Sequence, residues 1–247
     1  MVTDDGYPFE VRDRGADADV LLAGFTAYGL AGLTAVDYLV ERLELEPTGF
    51  VTAESLPAIT PFEDGRPHHH TRILTRDDLD VAVLHGGLFV PTFAATDFSE
   101  AIIEWTESEN VTEVAVLSGV PFAHGPDEHL TYHVATEDYY DRRLADHEPA
   151  VPGMTNGFLD GVDAALVERG MISDLAVGTF LTPVHDRIPD ADAAIRLVET
   201  VTDLYDLDVD TGPLEEFASD VEDYYTRLRE RLDAVPEQER SQDRMFM

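Results

Sequence analysis

The stretch Leu21-Leu22-Ala23-Gly24-Phe25-Thr26-Ala27-Tyr28-Gly29-Leu30-Ala31-Gly32 reads as a buried strand, a glycine-bearing turn and the opening of a helix. From there Leu33, Val36, Val40 and Leu43 recur at spacings of three and four, which makes one apolar helical face. A strand feeding such a helix is the building unit of parallel α/β sheets. Ligands of those sheets bind at the carboxyl ends of the strands. The turn is therefore weighed first as a phosphate cradle. Gly24 and Gly29 are spaced as in G-x-x-x-x-G-K-[ST], but Leu30 and Ala31 stand where the lysine and the hydroxyl belong. Without them the phosphate cation and the magnesium ligand are missing. The intervals to Gly29 and Gly32 also fail the dinucleotide pattern G-x-G-x-x-G. The glycines are read instead as letting the helix close tightly on the sheet.

The rest of the chain repeats the alternation. Residues 81–85, 111–117 and 175–180 are apolar runs suited to central strands, and residues 49–53, 70–74 and 131–134 read as further strands. Residues 7–11 suit an edge strand because of Pro8. Residues 56–67, punctuated by prolines and Gly65, read as irregular. Phe98, Ala101, Ile102 and Trp105 share a helical face, residues 137–145 form a short helix, and Phe158, Val162, Ala165 and Leu166 point inward after an Asn156-Gly157 turn. Strands alternating with helices predict a three-layer α/β sandwich. Toward the end, Ala194, Leu197, Val198, Val201 and Leu204 mark one helix. Leu214, Phe217, Val221, Tyr224, Leu228 and Leu232 mark a second, opened by Pro213. The expected organisation is an α/β core over 1–189 and a helical hairpin over 190–235, packed on the core or projecting from it. A flexible polar tail over 236–247 ends in Met245-Phe246-Met247.

Charge narrows the partners. Against 51 acidic residues stand 16 basic ones, all of them arginine, for a formal net charge of −35. Such a surface repels nucleic acid and anionic membranes, and no apolar run nears the roughly 20 residues needed to span a bilayer. At about 1 M salt the Debye length shrinks to about 3 Å and the self-repulsion is mostly screened. The composition therefore suits a salty cytoplasm, and the start of the chain has no signal-peptide pattern. The absence of cysteine excludes disulfides and thiol chemistry, and the absence of lysine excludes Schiff bases.

Each chemical motif has a plainer explanation. His68-His69-His70 offers no third converging ligand for zinc and reads as a solvated run. His124 and His129 flank a turn after a central strand but match no fixed ligand spacing. Asp206-Leu207-Asp208-Val209-Asp210 begins like a calcium loop, yet Phe217 falls where the bidentate glutamate is required. Asp210-Thr211-Gly212 reads as a helix stop and N-cap. Ser118-Gly119 lacks the preceding glycine of a nucleophile elbow. No catalytic constellation, metal site or cofactor site emerges. A crevice is expected around Gly24, Phe25, Tyr28, Gly86, Gly87, Ser118, His124 and His129.

The order of motifs adds a resemblance. Gly24-Phe25 through Gly29, Gly32 and Tyr38-Leu39, then Leu117-Ser118-Gly119-Val120-Pro121 and Met154-Thr155-Asn156-Gly157, belong to it. So do Pro183-Val184-His185, Ile188-Pro189-Asp190-Ala191-Asp192-Ala193-Ala194 and the two-helix ending. In these the chain resembles the archaeal branch of the proteasome assembly chaperone family, in a haloarchaeal-type, acidic form. The resemblance implies a fold similar to nucleoside phosphorylases without their catalytic residues. It further implies homo-oligomers and a non-enzymatic role that engages proteasome α subunits. Some archaeal members end in a hydrophobic–tyrosine–any tail that inserts between α subunits, and Met245-Phe246-Met247 looks like that tail with phenylalanine for tyrosine. The missing hydroxyl removes one hydrogen bond, worth about 1 kcal/mol. Two enzyme readings stand as alternatives: a nucleoside-phosphorylase-like enzyme using the crevice, and a metal-dependent hydrolase using His124 and His129.

Overall fold

The computed structural model describes residues 9–15, 18–53, 60–121, 125, 129–185 and 190–214. Along them run β1 (Phe9–Asp13), β2 (Val20–Phe25), α1 (Ala31–Arg42), β3 (Glu46–Ala53), β4 (Phe62–Glu63), β5 (Arg66–Pro67), β6 (Thr71–Thr75) and β7 (Val81–Gly86). There follow α2 (Ala95–Glu109), β8 (Glu113–Val120), β9 (Tyr132–Ala135) and α3 (Glu137–Tyr139), which continues as a π-helical turn (Tyr140–Leu144). Last come α4 (Gly161–Gly170), β10 (Ala176–Pro183) and α5 (Ala191–Leu204).

One mixed sheet holds eight of the strands in the order β1-β3-β6-β7-β2-β8-β10-β9. The central four, β7, β2, β8 and β10, are mutually parallel, and the margins are antiparallel. Every residue of β2 and β10 is buried, as strands covered on both faces must be. The pleat divides them between two cores. Leu22, Leu117 and Phe180 pack with Ala35, Leu39, Leu197 and Val201 of α1 and α5. Leu21, Val116 and Val177 pack with Phe98, Ile102 and Leu166 of α2 and α4. This is the three-layer α/β sandwich that the alternation predicts.

The opening glycines act at the contact between α1 and the sheet. A Cβ on Gly32 would stand 1.9 Å from the carbonyl oxygen of Leu117, and one on Gly24 would stand 2.2 Å from that of Gly32. Helix and sheet thus meet backbone to backbone, which only glycine permits. The buried stripe of α1 is accordingly Gly32, Ala35, Val36 and Leu39, continued by Leu43, and Leu33 and Val40 are only half-buried.

Two further expectations change. Residues 62–67 are not irregular but form a two-stranded hairpin, β4 with β5. Its turn, Asp64-Gly65, has positive φ at both positions (48° and 75°), the signature of a tight hairpin turn. Phe158 does not point inward, because α4 starts only at Gly161; it is fully exposed. The first helix of the expected hairpin is α5, whose apolar face is sealed against α1 and the sheet. The rest of the second helix from residue 215 onward, and the tail with Met245, Phe246 and Met247, lie outside the described residues.

The amino end of the central sheet carries a buried ion pair. Glu113, 1% exposed, receives Arg143 Nε at 3.0 and 3.1 Å on its two oxygens, with Arg142 Nη1 at 3.8 Å. Tyr205, just past α5, donates its hydroxyl to the same carboxylate and meets the Tyr139 hydroxyl at 2.8 Å. The Arg143 guanidinium stacks over the Tyr205 ring at 4.7 Å. Burial raises both tyrosine pKa values, so the phenols stay protonated hydrogen-bond partners. At the far margin, the outer edge of β9 is occupied by its own chain. His133 N–H donates to Pro152 O and Met154 N–H donates to His133 O.

Candidate functional site

A cleft of about 1010 Å³ opens at the carboxyl ends of β7, β2 and β8, where parallel sheets bind ligands. Phe25 closes β2, Ser118, Gly119 and Val120 close β8, and the turn 26–30 forms one wall. That turn is pinned from three directions. Thr26 N–H donates to Gly86 O at 3.0 Å, Leu30 N–H to Ala27 O at 3.1 Å, and Asp190 N–H to Gly29 O at 2.9 Å. Leu30 is held in the left-handed region (φ 53°, ψ 16°) at the N-cap of α1. A branched, bulky residue adopts that conformation only when its surroundings impose it, and such residues cluster at ligand clamps.

The opposite wall is the start of α4. Asp160 stands at its N-cap position, exposed and without a capping hydrogen bond, and Asp163 lies in its first turn. Asp163 is half-buried, and desolvation pushes its carboxyl up to about pKa 6; the like charge of Asp160 adds to this. A hydrogen bond from the buried Ser118 hydroxyl opposes the shift. Around this floor stand Tyr28, Phe89 and Phe158, all strongly exposed, with Met154 and Leu159 between them. No described residue of the lining is histidine or arginine. The described lining thus sets a carboxylate of raised pKa beside a serine hydroxyl, with no histidine and no arginine next to them.

Asp163→Asn tests the electrostatics. Because folding raises this pKa, the wild type is stabilised most below pH about 4 and loses that stability as pH rises through about 6. The variant is expected to match the wild type near pH 4 and to exceed it by about 1–2 kcal/mol at pH 7.5, discounted for partial exposure. Urea midpoints read from the fluorescence of Trp105, the sole and buried tryptophan, measure this.

Of the crevice residues expected from sequence, Phe25, Tyr28 and Ser118 line the cleft. Gly24 lies under α1, Gly86 packs on Phe25, and Gly87 packs on the backbone of His70, away from the lining. His129 is exposed beside His185, with ring centroids 6.4 Å apart, and His124 lies outside the described residues. His185 and its own backbone N–H bind Asp190, which also caps α5 through Ala193 N–H. The His68–His70 run disperses: His69 stacks on Phe50 at 3.6 Å, and His70 bonds Thr71 and is held below its usual pKa by burial. Among the described residues no three histidine or acidic side chains converge as a metal site, and no helix is long and apolar enough to cross a membrane. Sequence reasoning missed Asp160, Asp163, Phe89 and Phe158. Asp160-Gly161 at the true start of α4 was the signal for Asp160.

The architecture has close counterparts among solved structures. Pyrococcus furiosus PbaA, an archaeal homolog of proteasome-assembly chaperone, superposes with a TM-score of 0.83 at 20% identity, covering 97% of this chain and 100% of its own. Pyrococcus furiosus PbaB, an archaeal proteasome activator, gives 0.76 at 18% identity over 90% of this chain and 98% of its own. A PAC2 family protein from Streptomyces avermitilis gives 0.67 at 18% identity over 85% and 95%. At such identities the likeness is one of fold. No curated protein sequence matches the chain. The family model does: it matches residues 21–229, from β2 past the last described helix, and the chain belongs to the PAC2 family.

Proposed function

We propose that this chain is a non-enzymatic, chaperone-like protein that forms oligomers in the cytoplasm and binds proteasome α subunits. The observation that carries the proposal is the family match over residues 21–229. The fold shared with PbaA and PbaB, over nearly the full length of each, supports it. The cleft, lined by aromatic, apolar and acidic side chains, suits a binding role. The charge of −35 suits work in concentrated salt, where surface repulsion is screened. Met245-Phe246-Met247, at the end of a polar segment, is the proposed docking element: an apolar tip on a tether fits capture in a groove between subunits.

Affinity capture in molar salt, with purified α subunits as prey, tests both levels. The full chain is expected to retain α subunits, and deletion of residues 245–247 to reduce retention at least tenfold, about 1.4 kcal/mol. Phe246→Tyr, which restores a hydroxyl, is expected to tighten binding several-fold. Undiminished capture by the truncated chain would remove the tail from the proposal, and no capture by either would remove the α subunits.

A further inference from the structure

We propose that the cleft beside α4 is a binding site for a small organic cation, an ammonium or guanidinium group carried on an apolar body. This goes beyond the assembly role and does not depend on it. The cavity comes first: about 1010 Å³ is ample for a metabolite-sized molecule, and it lies at the strand ends where such sheets bind ligands. Its lining then sets the chemistry. Phe25, Met154, Leu159 and Leu181 supply apolar surface, and Asp160 and Asp163 supply negative charge. No described lining residue supplies a positive one.

An anion would meet the repulsion of both carboxylates here, and a neutral ligand would leave the Asp163 charge without a counter-ion. A cation removes that cost, and it also fits the rim. Tyr28, Phe89 and Phe158 are 53%, 63% and 103% exposed around one opening. Aromatic faces attract cations through their quadrupole. The plainer explanation of Asp160 and Asp163 is that acidic residues favour the positive end of a helix. That accounts for their charge, but neither for the cavity before them nor for the buried Ser118 hydroxyl that fixes the inner carboxylate.

The test uses the full-length protein in molar salt and three probes with one body: benzylammonium, benzyl alcohol and benzoate. Isothermal titration is expected to show benzylammonium binding at least about tenfold more tightly than either of the others. Asp160→Asn with Asp163→Asn should weaken it about tenfold or more, while leaving the urea midpoint at or above that of the wild type. Phe89→Ala and Phe158→Ala, both at exposed positions, should each weaken it about threefold. Equal affinity for the three probes, no binding of benzylammonium, or binding unchanged in the double variant would overturn the proposal. So would loss of α-subunit capture in the double variant when benzylammonium fails to bind, since the acids would then receive a partner's basic side chain.

Discussion

Gly32→Ala is expected to lower the unfolding free energy by at least about 3 kcal/mol, a large part of the 5–15 kcal/mol typical of a folded domain. The added methyl would lie 1.9 Å from the Leu117 carbonyl oxygen, 2.7 Å from its carbon and 3.3 Å from Ser118 N. All three are backbone atoms of a central strand, so no rotamer change relieves the clash. Either α1 lifts from the sheet, opening the core around Ala35, Val36 and Leu39, or β8 bends. Gly157→Ala is the control, because nothing lies within 4 Å of the position a Cβ would take there. It should change stability by no more than about 0.5 kcal/mol. Urea unfolding followed by Trp105 fluorescence distinguishes the two. A Gly32→Ala loss below about 1 kcal/mol would mean that α1 does not press on β8 as described.

Arg143→Ala should cost nearly as much, about 3–5 kcal/mol, for a different reason. Glu113 is 1% exposed, and Arg143 is the cation bonded to both of its oxygens. After the truncation, Arg142 at 3.8 Å and the Tyr205 hydroxyl are left to compensate a buried carboxylate. Replacing both partners with apolar residues of similar size, Glu113→Leu with Arg143→Met, removes the desolvated charge along with its counter-ion. The pair should recover most of the loss, to within about 1–2 kcal/mol of the wild type. Double-mutant-cycle analysis of urea midpoints gives the coupling. If Arg143→Ala and the paired replacement are equally destabilising, the cost is the lost stacking of the guanidinium over Tyr205, and the ion pair itself contributes little.

The sheet was legible from the sequence because its central strands are buried on both faces. Residues 81–85 and 111–117 carry an unbroken apolar signal that turn residues bound on either side. The α/β alternation and the helices at 95–109 and 191–204 followed from the same periodicity. What failed depended on a single local geometry or on distance along the chain. The Asp64-Gly65 turn was masked by the prolines around it. Phe158 was drawn inward by counting a helical face from the wrong first residue, since Gly161 adopts positive φ and α4 begins only there. Glu113 passed as an ordinary strand position because its partners, Arg143 and Tyr205, lie 30 and 92 residues away. The cleft was half visible. Ser118 and Tyr28 flank glycine turns at strand ends, where sites are sought. Asp163 carried no local mark, because an acidic residue in a first helical turn is common and its unusual proton affinity comes from the fold.

The outer edge of β9 has a bearing on how copies of this chain can join. A free strand edge invites pairing with another molecule, and a joint made that way has no built-in stopping point. Here the donor and acceptor of His133 are already engaged by Pro152 and Met154. At that margin a neighbour cannot simply continue the sheet. A contact at that margin would form through side chains, helices or loops, whose shape sets the angle between neighbours.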